Sequence, residues 1–161
     1  MMDMGTLAGT IFLGLAPISE LRGAIPFAYL RGYPLWQAVM LGAGANLLVS
    51  PLVYLFLTHF HRFLYGKWIF YTKVFDHTVA RARAKLGPKV ETYGMWGIML
   101  FVGVPLPITG AWTGTLGAWV LGLDRRHSML AASAGVIMSA TIVSLILLLG
   151  EGMGSIFVKI I

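Results

Sequence analysis

Residues 17–26 read PISELRGAIP, an acid (Glu20) and a base (Arg22) set between two prolines, with apolar sequence on either side. Neither flanking run is long enough to cross a bilayer. Leu7 to Ala16 and Leu21 to Leu30 are ten residues each, roughly 15 Å of helix against about 30 Å of hydrocarbon. The decapeptide therefore joins two half-membrane helices at a polar tip, which makes a re-entrant hairpin. Irregular backbone at membrane depth persists only where protein buries it or water reaches it, so the turn is expected to be shielded from lipid.

The rest of the chain fits a membrane setting. Of 161 residues, 58% are hydrophobic and 11% charged, and the mean hydropathy is +0.81; an average soluble domain carries about 25% charged residues. The length implies one membrane domain over residues 1–161. The opening MMDMGTLAG lacks the basic stretch of a cleavable signal, so residue 1 is expected in the mature protein. The chain has no cysteine, which excludes disulfides, thiolate metal sites and cysteine nucleophiles. The net charge of +6 does not indicate a nucleic-acid partner, because seven of the twelve Lys and Arg residues fall between Arg62 and Lys89. Such clustering marks a cytoplasmic segment first, and attraction to anionic headgroups second.

Two segments reach spanning length. Residues 34–58 begin at Pro34, suited to a first helical turn, and residues 125–149 follow Asp124, a natural N-cap. A second break, PLPITGAWTG at 105–114, precedes the second of them. An offset of 90 residues lays Pro17, Ile18 and Ser19 on Pro107, Ile108 and Thr109, Tyr29 on Trp119, Gly32 on Gly122, and one long helix on the other. The expected fold is thus an all-α membrane protein of two inverted repeats, each a re-entrant helical hairpin plus one transmembrane helix. Repeat 1 covers 5–60, a basic linker 61–92, repeat 2 93–150 and a short tail 151–161. A hairpin that returns to its own side plus one crossing reverses the second copy, and inverted repeats with broken helices are a recurring transporter plan. The linker, Arg125 and Arg126 are then cytoplasmic, while Arg31, Lys159 and both termini lie outside.

Within the linker, Trp68, Tyr71, Phe75, Val79, Ala82 and Leu86 recur at helical spacing. They predict an amphipathic helix resting on headgroups as a connector and ending at residues 86–88, LGP.

The site is expected at the two breaks. Ser19 and Thr109 stand where a side chain could cap the following helix. Glu20 suits a helix N-terminus, but Arg22 opposes the dipole there and needs an anion. That anion is Glu20, another carboxylate, or a substrate group such as phosphate; the first choice makes the charges scaffolding, the last makes them a binding site. The second break offers no charge, since Gly110 and Trp112 take the equivalent places. The candidate substrate and proton site comprises Glu20, Arg22, Ser19, Pro17 and Pro26 from the first break, Thr109, Gly110, Trp112 and Thr113 from the second, and Asn46, whose amide could bond a tip. Trp112 is expected along a pathway, Tyr33 and Trp119 as interfacial anchors. The small-residue lines Gly42, Asn46, Ser50 and Ala131, Gly135, Ser139 predict close helix packing. His59 and His61 fall on different helix faces and His77 and His127 are isolated, so no metal, cofactor or catalytic residue is expected.

The blocks ELRGAIP and PLPITGAWTG resemble those of the small multidrug export protein family of short prokaryotic membrane proteins, a likeness that covers most of the chain and is weakest at the linker and the tail GEGMGSIFVKII. Ile108 departs from the small residue, usually Gly, of that pattern. More distantly the plan is similar to the DedA superfamily, whose members pair re-entrant hairpins and are linked to moving polyprenyl-phosphate or phospholipid. The resemblance implies a prokaryotic plasma-membrane location, Glu20 as a proton-linked acid and Arg22 as a phosphate contact. The function expected is a transporter or flippase for an anionic amphiphile, a lipid phosphate or lipophilic drug. A membrane-embedded lipid-phosphate phosphatase is the alternative, although only one acid lies near a tip where hydrolysis wants a carboxylate cluster or an activated nucleophile. A non-transporting assembly factor would need neither Glu20 nor Arg22. A homodimer or larger assembly is expected, because two crossings and two hairpins offer little protein to shield the breaks.

Overall fold

The computed structural model describes residues 3–106 and 109–158. Pro107, Ile108 and Lys159, on which the offset and the topology partly rest, lie outside the described residues. Among the described residues every regular element is helical: α1 (Met4–Leu15), α2 (Glu20–Leu30), α3 (Leu35–Leu47), α4 (Val49–His59), α5 (His61–Leu64), α6 (Ile69–Tyr93), α7 (Met95–Gly103), α8 (Ala111–Val120) and α9 (Arg125–Val158).

Each boundary has a local cause. Asp3 accepts the backbone N–H groups of Gly5 at 3.3 Å and Thr6 at 3.1 Å, which caps α1. Asp124 does the same for α9 through the His127 N–H at 3.0 Å, as the sequence suggested. The first long segment is interrupted at Leu48 between α3 and α4. Pro51 explains this: it has no N–H for the Leu47 carbonyl, and its ring crowds that oxygen. The linker helix does not stop at residues 86–88. It runs through Pro88 to Tyr93, and the stop is Gly94, whose φ of 56° is open to glycine and costly for other residues. The second long helix likewise continues to Val158, well into the expected tail.

α2 and α8 end in the same way. Gly32 and Gly122 have φ of 87° and 70°. After them Tyr33 N–H donates to the Ala28 carbonyl at 3.2 Å, and Leu123 N–H to the Ala118 carbonyl at 3.0 Å. This is the hydrogen bond of a Schellman stop, repeated 90 residues apart.

α1 packs on α2 and α3, α7 on α9, and the two halves join where α2 meets α9 and α8 meets α4. The predicted small-residue lines lie at these contacts: a Cβ on Gly14 would meet the Gly42 carbonyl at 3.1 Å, and one on Gly103 the Gly135 carbonyl at 3.3 Å. Leu21, Ile25, Val49, Phe101 and Val136 fill the interior. Met40, Ile137 and Leu149 project outward. Leu35–His59 and Arg125–Gly150 are long and apolar enough to cross a membrane. Unlike a connector lying on headgroups, α6 packs onto α7 and α8, with Ala82 and Leu86 buried and Leu86 set against Gly117.

Candidate functional site

α8 begins at a break without a cap of its own, since its N-cap residue, Gly110, has no side chain to offer. The missing acceptor comes from the other half of the chain. Glu20 Oε1 accepts the Trp112 N–H at 3.2 Å, and the Ala111 N–H is also directed at this carboxylate. A carboxylate bonded to the second residue of a helix is an N-cap in all but chain connectivity, and the helix dipole favours its charge. Gly110 has to be glycine for this approach, because a Cβ there would collide with the Glu20 carboxylate.

Glu20 reaches this position from a strained backbone. Its φ of 50° is the only positive value among the described residues that are not glycine. Such a conformation costs about 1–3 kcal/mol and persists where the surroundings over-determine it, which is common at functional sites. The carboxylate is almost completely buried, and its Oε2 pairs with Arg22 Nη2 at 3.2 Å. Arg22 Nη1 donates in turn to the Leu106 carbonyl in the second break. The link is reciprocated from the other side: Trp112 Nε1 donates to the Leu15 carbonyl at the end of α1, at 2.9 Å. The two breaks are thereby tied through one part-buried ion pair, the Leu106 and Leu15 carbonyls and the N-terminus of α8.

The other expected residues take several different roles. Asn46 Nδ2 donates to the Gly14 carbonyl near the end of α1 at 2.9 Å, while its Oδ1 has no partner among the described residues. Ser19 and Thr109 do not cap. Ser19 is helical at its own φ and ψ, so its hydroxyl cannot point along the following N–H groups, and it donates back to the Leu13 carbonyl at 2.7 Å. Thr109 donates to the Val104 and Leu106 carbonyls at 3.0 and 2.9 Å, stitching the second break to itself. Pro17, Trp112 and Thr113 line one cavity, and Arg22 and Pro26 another; each is about 230 Å³.

Tyr33 is buried with its hydroxyl donating to the Asp3 carbonyl at 3.1 Å, because the Gly32 turn folds it back over α1. Trp119 packs against His61 and Phe75, at ring separations of 5.6 and 6.4 Å, beneath the linker. His127 is not isolated: its Nδ1 lies 2.6 Å from Asp124 Oδ2. A buried bond between Ser50 and Thr115 hydroxyls, 2.8 Å long, joins α4 to α8. Thr115 had no signal in the sequence beyond lying on the face of α8 that also carries Ala111 and Ala118.

This arrangement defines a class: an all-helical, multi-pass membrane protein whose two halves meet at a buried polar junction. Residues 20–142, from Glu20 of that junction to the middle of α9, match the family described as "Putative small multi-drug export protein", and the chain belongs to that family. No curated protein and no solved structure matches it significantly.

Proposed function

We propose that the protein is a transporter or flippase for an anionic amphiphile in the prokaryotic plasma membrane, built as two inverted repeats of a re-entrant hairpin and a crossing, and switched by protonation of Glu20. One observation carries the reading: the Glu20 carboxylate caps α8 from the opposite half of the chain while holding Arg22. Inverted repeats related by a two-fold axis place equivalent residues against each other on that axis. Glu20 and Gly110 are equivalent under the 90-residue offset, and they touch. Gly32 and Gly122, with their matched stops, support the same relation.

In this mechanism the ionised carboxylate closes the junction. It satisfies the α8 N-terminus and occupies Arg22. Taking up a proton removes the negative charge that both partners need, so the cap and the ion pair weaken together. Arg22 is then free to hold an anionic headgroup, for which its planar fork is suited. Release of the proton on the other side restores the cap and returns the headgroup. A homodimer shields the outward apolar faces and the remaining polar backbone.

The test is purified protein in liposomes, with movement of a labelled polyprenyl-phosphate followed with and without a pH gradient. Gradient-dependent movement is expected, and it is lost in Glu20→Gln. Release of inorganic phosphate in the same vesicles would replace this reading with the membrane phosphatase.

A further inference from the structure

Five residues lining one of the cavities beside the junction correspond, at the 90-residue offset, to five lining the other. Val53, Phe56 and Leu57 line the first, and the residues 90 positions later, Val143, Ile146 and Leu147, line the second. Trp112 and Leu116 complete the first wall, and the residues 90 positions earlier, Arg22 and Pro26, complete the second. Each also has a proline from a break, Pro17 in one and Pro105 in the other.

They differ in two respects. Arg22 gives the second cavity a cation where the first has the Trp112 ring. The first cavity has an additional wall, from Tyr71, Val74, Phe75 and Thr78 of α6. Among the described residues no charged side chain lines it, and its polar side chains already have hydrogen-bond partners. Trp112 Nε1 donates to the Leu15 carbonyl and Thr78 Oγ1 to the Val74 carbonyl. The Tyr71 hydroxyl bonds His61 Nδ1 at 3.0 Å, and Thr113 Oγ1 donates to the Gly110 carbonyl at 3.5 Å. Such a wall offers a ligand little beyond apolar surface, and binding there rewards chiefly the removal of apolar surface from water. At about 230 Å³ the space falls below the roughly 300–1,000 Å³ of sites for drug-sized bodies and suits a single chain segment.

We infer that the cavity between α4, α6 and α8 holds the hydrocarbon chain of an amphiphile, with α6 as a wall of the binding site. That the amphiphile is cargo rests on the proposed function; that the chain occupies this cavity does not. The linker helix thus becomes a determinant of chain selectivity.

The experiment uses the full chain in liposomes and, as probe, dodecyl phosphate carrying a diazirine at the end of its chain. After photolysis the tagged residues are mapped by mass spectrometry. Tags are expected at Val53–Leu57, Tyr71–Thr78 and Trp112–Leu116, suppressed by excess dodecyl phosphate and unchanged by inorganic phosphate. Thr78→Trp, which fills the cavity from α6, should lower this tagging about tenfold, while Met40→Trp, on an outward face away from the cavity, leaves it intact. If Thr78→Trp fails to fold, Leu116→Phe fills the same space from α8 and should have the same effect. Tags confined to outward residues such as Met40 and Ile137, suppression by inorganic phosphate, or full tagging in folded filled variants would each overturn the inference. Specific tagging without transport of the amphiphile would keep the cavity assignment and remove the transport reading.

Discussion

The two halves of the molecule share a backbone plan and divide the chemistry unequally. Residues 4–59 and 95–150 each contain a broken helix pair, a glycine stop and a long apolar segment. Both stops are made by the same hydrogen bonds around Gly32 and Gly122. Yet Glu20 and Arg22 both belong to the first half, and their counterparts are Gly110 and Trp112. The contact itself explains the asymmetry. Where equivalent positions meet, two carboxylates would repel at close range in a low dielectric, and there is no room even for a second Cβ. One half supplies the charge and the other supplies the space and the N–H groups.

The comparison breaks most sharply if the halves are not inverted. Because the chain has no native cysteine, Arg31→Cys and Arg126→Cys, at exposed positions before and after corresponding turns, can be labelled separately with an impermeant maleimide. They should react from opposite faces of the membrane. Reaction of both from one face would remove the inversion.

Next in size is the ion pair. Arg22→Met leaves a buried carboxylate with only the α8 N–H groups, and should destabilise the protein by about 3 kcal/mol, at the low end for breaking a buried pair because Arg22 is partly accessible. Glu20→Gln combined with Arg22→Met should recover much of that loss. Thermal melts in detergent measure both.

Gly110→Ala tests the complementary half. The added methyl is overpacked against Glu20, at a cost of about 1–3 kcal/mol. In a Glu20→Ala background the cost should largely vanish, so a double-mutant cycle should return a clear coupling. Additive losses would mean that the halves do not meet here.

The smallest effect separates the ends of the halves from their junction. The Asp124 carboxyl is held below its ordinary range, first by the His127 N–H and then by the His127 side chain. Its pKa is lower folded than unfolded, so its contribution is present above the unfolded carboxylate value of about 3.9 and fades as pH falls through the lower folded one. Helicity measured against pH should show a slight acid-side loss in the native protein that is absent in Asp124→Ala.

Much of this was legible in the sequence, for identifiable reasons. Short runs around a charged, proline-bracketed turn can only be half-length helices, and the offset that aligned Gly32 with Gly122 also aligned their hydrogen-bonded stops. Pro88 was misleading as a stop, because packing of α6 on α7 and α8 carries the helix past it to Gly94. Ser19 and Thr109 have capping chemistry but the wrong backbone geometry, which sequence alone does not report. The true cap of α8 lies 92 residues away, and no local pattern announces it. Apolar periodicity in α6 was plain, but whether that face meets headgroups or protein depends on Trp119 and Leu86 finding their partners.

In the proposed mechanism the Glu20–Arg22 pair works as a switch and is more than scaffolding. Its most direct test is transport of a labelled polyprenyl-phosphate by the Glu20→Gln, Arg22→Met protein in liposomes under a pH gradient, with folding verified by its melt. The switch predicts a folded protein that moves no substrate in response to the gradient; normal gradient-driven transport by that folded double variant would contradict it.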